Sequence, residues 1–179
     1  MPTNLLKKYP ELLEIMHLTE RQRTESLRNV FNRDIQNNQN FKFRSKQIRP
    51  IFIDGEASMG NLFNHLTREE VEEIKLDGTK FKKRIFEKDR SMRLHWIKFH
   101  IDECKKNNIE VFSIIERNTK KRKDITLTYI YDLEQEYVIV MEPQNSDMDY
   151  YLLSAYFLNK DYGPKKMKKK LKKRLPYVY

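Results

Sequence analysis

Four side chains have the types and positions needed to act on a phosphate ester: His65, Arg93, Ser154 and Tyr156. Histidine can move a proton near neutral pH, and the arginine fork matches the oxygens of a phosphate group. Ser154 and Tyr156 are two residues apart in a strand-like run, so their hydroxyl groups share one face and can orient the same ligand. We therefore predict one pocket in which these four residues bind and cleave a phosphodiester.

His65 lies in the segment NLFNHLT, directly before a helix start predicted at Thr67. Because helix starts attract anions, a histidine there is placed to act as a general base or acid on a ribose–phosphate substrate. In this interpretation His65 moves the proton, while Arg93 neutralises the charge that develops on the phosphate. The alternative is a loop histidine whose ring is satisfied by a backbone group.

Residues 79–106 are predicted as one long helix, in which successive residues are about 100° apart around the axis. This spacing puts Arg90 and Arg93 on the packed side of the helix. Arginines there are costly unless each has an anion or an acceptor. One interpretation is a preorganised phosphate site, and the other is a structural salt bridge to an acid such as Glu142 or Asp149.

The run DYYLLSAYFLN at residues 149–159 is predicted as the last strand. Its alternation assigns Leu153, Ala155 and Phe157 to the core, and Tyr150, Leu152, Ser154 and Tyr156 to the opposite face. Hydroxyl groups on that face can hold a phosphate or the ribose 2′-OH. The alternative is that they are ordinary residues of an open sheet face.

An α+β fold is predicted to position these residues, with helices first and a sheet packed on the long helix. Further helices are predicted at Leu5–Met16, at Thr19–Phe31 and from Thr67 to about Leu76, the last two opened by capping boxes. A short strand is predicted at Ile48–Ile53. Four runs rich in β-branched and aromatic residues follow, at Ile109–Ile115, Ile125–Tyr131, Tyr137–Met141 and Tyr150–Leu158. Short polar loops between them favour a four-stranded antiparallel sheet.

The basic end of the chain is the strongest feature of its composition. Residues 165–174 read KKMKKKLKKR, with eight basic and no acidic residues, and account for most of the net charge of +10. Met167, Leu171 and Leu175 recur every four residues, so we predict an amphipathic helix that starts near Gly163-Pro164. Such a block suits phosphate backbones. The predicted nucleic-acid contacts are Arg90, Lys165, Lys166, Lys168, Lys169, Lys170, Lys172, Lys173 and Arg174.

Other features restrict the class of protein. Cys104 is the only cysteine, which fits a reducing cytoplasm and excludes a zinc site built on two or more cysteines. The chain starts without the apolar core of a signal peptide, and no apolar run approaches the length of a membrane span. No phosphate loop, nucleophile elbow or two-metal carboxylate cluster is found, so we expect no cofactor and no metal. Cleavage without a metal favours RNA, whose 2′-OH can serve as the nucleophile.

Four segments of the chain, together with the basic end that follows them, resemble a known group of nucleases. The segments are NLFNHLT, RSMRLHWIKFHI, TLTYIYDLEQEYVIVME and YYLLSAYFLNK. This group is the phage- and mobile-element-associated branch of the BECR superfamily, which includes barnase, EndoU, the RNase colicins and RelE-like toxins. The resemblance covers roughly residues 50–175.

The resemblance implies a helix packed on a four-stranded antiparallel sheet and metal-independent RNase activity on the open sheet face. It makes His65 the loop histidine, Arg93 the helix arginine, and Ser154, followed by Tyr156, the final-strand hydroxyl. Residues 48–179 would form the nuclease domain. Residues 1–47 would be a helical extension that binds substrate or a protein partner, such as an antitoxin.

Three functions remain open from the sequence. The leading prediction is a cytoplasmic endoribonuclease, acting as a toxin or as a phage- or mobile-element-related effector. The second is an RNA- or DNA-binding protein without catalysis, which holds its partner through the basic helix. The third is a protein-interaction domain whose basic end serves solubility or an acidic partner.

Overall fold

The protein is described by a computed structural model that covers residues 3–53, 56–119, 122–144 and 148–179. Its class is α+β, as predicted. The described residues form five α-helices: α1 (Glu20–Phe31), α2 (Met59–Thr67), α3 (Lys88–Ser91), α4 (Trp96–Ile101) and α5 (Gly163–Leu171). The strands are β1 (Lys42–Phe43), β2 (Lys46–Arg49), β3 (Phe52–Ile53), β4 (Glu56–Ala57), β5 (Arg68–Ile74), β6 (Lys80–Phe86), β7 (Ile109–Asn118), β8 (Lys123–Asp132), β9 (Tyr137–Pro143) and β10 (Asp149–Phe157).

The main sheet contains the predicted meander but is larger than predicted. Strands β7 to β10 pair antiparallel in chain order, which confirms the four strands within 109–158. The sheet as a whole has six strands in the order β1-β2-β10-β9-β8-β7, so the prediction of a four-stranded antiparallel sheet was wrong. Strand β10 pairs with β9 along one edge. Along its other edge, the start of β10 pairs in parallel with β2, and Ile48 lies opposite Tyr150.

Two of the helices predicted in the middle of the chain were wrong. The segment from Thr67 to Leu76 and the first part of residues 79–106 instead form β5 and β6, an antiparallel hairpin. Within 79–106 only the short helices α3 and α4 are helical. The charged residues of this segment favour helix by intrinsic propensity, but a turn with strand pairing on both sides overrides that preference.

The turn of this hairpin is Asp77-Gly78. Gly78 adopts a φ of 82°, which residues with a side chain rarely adopt, and the Asp77 carboxylate accepts a hydrogen bond from the Thr79 backbone N–H at 2.8 Å. Acidic β5 faces basic β6, and Lys82 pairs with Glu70 at 2.6 Å across the strands. The dipeptide that was interpreted as a helix end is therefore a hairpin turn.

The N-terminal segment is only partly helical. Helix α1 and its capping box at Thr19 are confirmed, but the helix predicted at Leu5–Met16 was wrong. Pro10 interrupts that segment because it has no backbone N–H to donate. Leu13 and Ile15 are both fully buried, at the alternating spacing of extended chain. This segment packs in the same core as the sheet, and the division at residue 47 stays a prediction.

Helices cover both faces of the main sheet. On one face, Trp96 and Ile97 of the α4 region pack in a cluster with Ile139 of β9. On the other face, Met167 of α5 packs in a cluster that includes Tyr129 of β8. The face that was expected to be open is therefore covered by the basic helix. Among the described residues, no helix combines the length and the apolarity that a membrane crossing requires.

A β-bulge in β10 changes which residues share a face. The pairing of β10 with β9 shifts between Leu152 and Ser154. Tyr150 and Leu152 consequently belong to the core cluster that they were predicted to avoid, together with Ala155. Beyond the bulge, the predicted alternation is correct, and Ser154 and Tyr156 line the same cavity.

Candidate nucleic-acid interface

Helix α5 is fixed against the sheet by its apolar side, which turns its lysines outward. Met167 is buried, and Leu171 packs beside it in the same cluster. At the helix start, Gly163 lies so close to Leu158 that an added Cβ would come within 3.0 Å of the Leu158 Cβ. The predicted helix and its start at Gly163-Pro164 are confirmed, but it ends at Leu171, so Leu175 of the predicted apolar stripe lies beyond it.

Most of the lysines on α5 and just after it are exposed and carry a charge that the protein does not neutralise. The exposed ones are Lys165, Lys166, Lys168, Lys169, Lys172 and Lys173. Within the described ranges, none of these six has a recorded ion pair, whereas Lys170 pairs with Glu116 and Arg174 reaches Glu110 at 4.0 Å. These charges are close enough to repel one another, so a polyanion would stabilise the surface.

A groove runs along the β7 side of α5. Its volume is about 520 Å³, and Lys166, Lys169 and Lys173 line it opposite Glu116 and Arg117. The Glu116 carboxylate is already occupied, because Lys170 and the Tyr129 hydroxyl both donate to it. The groove thus keeps an excess of positive charge.

A second concave site lies on the β10 side of α5, and we call it the cationic cavity. Its volume is about 350 Å³. Its polar lining residues are Arg90, Ser154, Tyr156, Asn159, Lys160, Tyr162, Lys166 and Lys170. Among the described residues that line it, four are cationic and none is acidic, which makes the cavity suited to an anion.

Arg90 enters the cationic cavity from α3 and is held by backbone groups. Its Nη1 donates to the carbonyl oxygens of His65 at 2.6 Å and Arg68 at 3.1 Å. Its Nε is buried and has no hydrogen-bond partner among the described residues, and burial lowers the pKa of the guanidinium. No carboxylate within the described ranges pairs with Arg90, so its charge is available to an anion in the cavity.

Ser154 and Tyr156 bring two hydroxyl groups from β10 to the cationic cavity. Burial raises the pKa of Tyr156 to about 12, so its phenol keeps its proton at neutral pH and can donate a hydrogen bond. A phosphate in the cavity would meet hydroxyl donors from the sheet and cations from α3 and α5.

His65 does not line the cationic cavity. Its ring lies 3.1 Å from the Arg84 guanidinium and lines a separate, small cavity of about 20 Å³ with Leu152 and Leu153. His65 is in the last turn of α2 and not in a loop before a helix, because the helix predicted at Thr67 is a strand. Its part in the catalytic set stays a prediction that this geometry does not support.

Arg93 does not line the cavity either, because its guanidinium interacts with Asp89. Its side chain is largely buried, and Nη1 lies 2.9 Å from the Asp89 carbonyl oxygen and 3.5 Å from the Asp89 carboxylate. Its guanidinium also covers the Phe157 ring at 3.9 Å. The salt-bridge interpretation describes Arg93 better, with Asp89 as the acid in place of Glu142 or Asp149. The structure therefore joins Ser154 and Tyr156 with Arg90, and not with His65 or Arg93.

Another charged group, which we call the buried cluster, was missed from the sequence. It consists of Tyr9, His100, Lys105 and Asp132. The Asp132 carboxylate accepts hydrogen bonds from Tyr9 Oη at 2.7 Å, His100 Nε2 at 2.9 Å and Lys105 Nζ at 3.0 Å. Burial opposes the charge on Asp132, but these donors outweigh it and hold the pKa of the carboxyl well below its usual range.

His100 in the buried cluster has a partner at each ring nitrogen. Its Nδ1 lies 2.8 Å from the Trp96 carbonyl oxygen, and its Nε2 lies 2.9 Å from the Asp132 carboxylate. These two contacts fix the orientation of the ring. Because every charge here has a partner, the buried cluster is a structural ion network and not a free catalytic group.

Comparisons of the chain with protein families, with characterised proteins and with solved structures find no match. Within the described part of the chain, no group of three or more His, Cys, Asp or Glu side chains is arranged to hold a metal ion. Sequence reasoning found Arg90, Ser154 and Tyr156 but missed Lys160 and Tyr162, which enter the cavity from the loop before α5. The aromatic residue beside Gly163-Pro164 was the available signal.

Proposed function

We propose that this protein binds RNA through the outer surface of α5 and the cationic cavity beside it. One observation carries the proposal: within the described part of the chain, the cavity is lined by four cations and no acid, and Lys166 joins it to the row of exposed lysines. Phosphates along a nucleic-acid backbone would supply the missing negative charge and release counterions. The hydroxyl groups of Ser154 and Tyr156 can donate to phosphate or accept from a ribose 2′-OH.

Salt dependence of binding tests this proposal. A variant with Lys165→Gln, Lys168→Gln and Lys172→Gln removes three exposed charges from α5. Each phosphate contact with single-stranded RNA contributes about 0.7 to the slope of log K against log salt. We expect the slope to flatten by about 2 if all three contacts are lost, as measured by fluorescence anisotropy of a labelled RNA.

The matched control removes three exposed lysines elsewhere: Lys42→Gln, Lys106→Gln and Lys123→Gln. Both variants lower the net charge equally, so a general effect of charge would flatten both slopes alike. The proposal requires a larger change for the α5 variant. Equal slopes, or no salt-dependent binding by the unchanged protein, would refute it.

Metal-independent RNA cleavage is the second candidate, supported by the proximity of Arg90, Ser154 and Tyr156. These donors can stabilise a phosphate on which charge develops during attack by the 2′-OH. A proton-transfer group is also needed, and no histidine lines the cavity. This difference makes binding the better-supported function.

Incubation of the purified protein with total RNA in EDTA separates the two candidates. Cleavage that is lost in Ser154→Ala and Tyr156→Phe would establish an endoribonuclease with its site in the cavity. Loss in His65→Ala but not in Ser154→Ala would instead restore the histidine site predicted from the sequence. Intact RNA with salt-dependent binding would select the binding protein.

Membership of the BECR superfamily stays a proposal, supported by the antiparallel meander β7–β10 and the α4 region packed on one face. A toxin or mobile-element role, and an antitoxin bound through the N-terminal segment, depend on that membership. In this segment Leu13, Leu27 and Phe31 are buried in the shared core, so a partner would meet the polar outer side of α1.

A further inference from the structure

The cationic cavity is shaped for something more specific than a backbone phosphate. Its rim carries Tyr162, whose side chain is 59% exposed although it lines the cavity. Lys160 lies 6.0 Å from the centre of the Tyr162 ring. An exposed aromatic ring beside clustered cations is the combination that holds a nucleotide, with the base stacked and the phosphate neutralised.

The volume of the cavity limits the ligand. About 350 Å³ is at the lower end of the range for small-molecule sites and is suited to a single nucleotide. Ser154 and Tyr156 of β10 form part of the wall, while Lys166 belongs to α5 and Arg90 to α3. The hydroxyl groups and the cations of the cavity therefore come from different elements of the fold.

A double helix does not fit these requirements. Its bases are paired and stacked, so none is free to lie on Tyr162, and its rigid backbone would contact only the outer lysines of α5. An unpaired nucleotide can leave the strand and bring its base and its phosphate to the cavity together.

We propose that the cationic cavity binds one unpaired nucleotide of single-stranded RNA, with its phosphate between Arg90 and Lys166 and its base on Tyr162. This proposal rests on the proposed function, because it assigns the class of RNA that the same surface binds. We therefore expect the protein to bind single-stranded RNA more tightly than duplex RNA. This preference should depend on Tyr162 and not on the lysines on the outer surface of α5.

The test compares a short unstructured single-stranded RNA with the same strand annealed to its complement. Stacking of one base on an aromatic ring corresponds to at least about a fivefold change in affinity. Tyr162→Ala should therefore raise the Kd for the single strand by about fivefold to a hundredfold and leave the Kd for the duplex within about twofold. Tyr162→Phe, which keeps the ring, should retain the affinity of the unchanged protein.

Tyr177→Ala is the matched control, because Tyr177 is 60% exposed but does not line the cavity. We expect it to bind both RNAs as the unchanged protein does. Equal effects of Tyr162→Ala and Tyr177→Ala on the single strand would overturn the nucleotide site while the proposed RNA binding stood. Failure of the unchanged protein to bind either RNA would overturn both.

A second pair of variants tests the position of the phosphate. Lys165→Gln and Lys166→Gln each remove one exposed charge from adjacent positions of α5, but only Lys166 lines the cavity. We expect the duplex to be weakened equally by both and the single strand to be weakened more by Lys166→Gln. Equal weakening of the single strand would place the phosphate outside the cavity.

Discussion

The buried cluster and the cationic cavity occupy opposite sides of the same sheet and treat charge in opposite ways. Asp132 in the buried cluster accepts hydrogen bonds from three side chains, and its charge is balanced within the protein. The cationic cavity is lined by three lysines and an arginine, and the structure describes no acid among its lining residues. Removing one member of the buried cluster would leave a buried charge unpaired, whereas the unpaired cations of the cavity can be neutralised by a ligand.

The number of charged residues therefore does not identify the functional site. Both regions combine cations with tyrosine hydroxyl groups, and the buried cluster has a His–Asp pair that resembles a catalytic dyad. What separates them is whether each charge already has an opposite charge beside it. Among the described residues, Lys170 is the one cation of the cavity with an ion pair, to Glu116. Substitutions should consequently affect stability in one region and binding in the other.

The largest effect is expected from Asp132→Asn, which breaks the buried cluster. The change removes the carboxylate that His100 and Lys105 share and leaves Lys105 with Glu134 as its one carboxylate partner among the described residues, at 2.8 Å. The free energy of unfolding should therefore fall by about 3–5 kcal/mol in chemical denaturation. Asp124→Asn is the control on the same strand, since its pair with Arg117 at 3.2 Å is exposed. The control should lose no more than about 1 kcal/mol. Similar losses in both variants would mean that the buried cluster does not stabilise the fold.

His95 is also buried, but among the described residues neither of its ring nitrogens has a hydrogen-bond partner. Burial lowers its pKa to about 4, and the smaller effects of Asp34 and Arg33 act in opposite directions. The neutral ring is favoured in the folded state, so its contribution is complete above about pH 6.5. That contribution is lost as the pH falls from about 6.5 to 4, by a total of about 3 kcal/mol.

Denaturation curves across this pH range, for the unchanged protein and for His95→Gln, measure the effect. The variant should show a flatter decline on acidification, because the titrating ring is gone. His17→Gln, which removes an exposed histidine, should keep the original decline. If His95→Gln and the unchanged protein decline in parallel, His95 does not titrate in this way.

The smallest expected effects come from two substitutions, one in each region, that should act on different properties: one on stability and the other on RNA binding. Tyr9→Phe removes one hydrogen bond to Asp132 and should lower stability by about 1 kcal/mol, with no change in RNA affinity. Ser154→Ala should change stability by less than about 0.5 kcal/mol but weaken RNA binding by about fivefold, through the loss of one donor to a phosphate. Calorimetry and anisotropy on both variants would show this reversal, and a Ser154→Ala protein that is unstable but binds normally would contradict it.

Local signals explain what the sequence predicted correctly in the fold. The capping box at Thr19, the β-branched runs between 109 and 158, and Gly163-Pro164 act within a few residues of the elements they start. The β5–β6 hairpin was missed because its Glu and Lys residues have high helix propensity. Strand β2 was not assigned to the sheet, because its pairing with β10 joins segments about a hundred residues apart.

The site was predictable to the extent that its residues lie in correctly assigned elements. Ser154 and Lys166 belong to β10 and α5, and both reach the cavity. Arg93 was assigned from a continuous helix, but α3 ends at Ser91, and Arg93 pairs with Asp89 four residues earlier in the chain. A helical projection also turns His95 outward, whereas the structure buries it.

The most direct test of the central claim is a map of backbone amide shifts in the isotope-labelled protein as single-stranded RNA is added at low salt. The account predicts that changes concentrate at Arg90 and in residues 154–173, and that His100 and Asp132 do not move. Shifts centred on the buried cluster, or no shifts in residues 154–173 when RNA is bound, would contradict it.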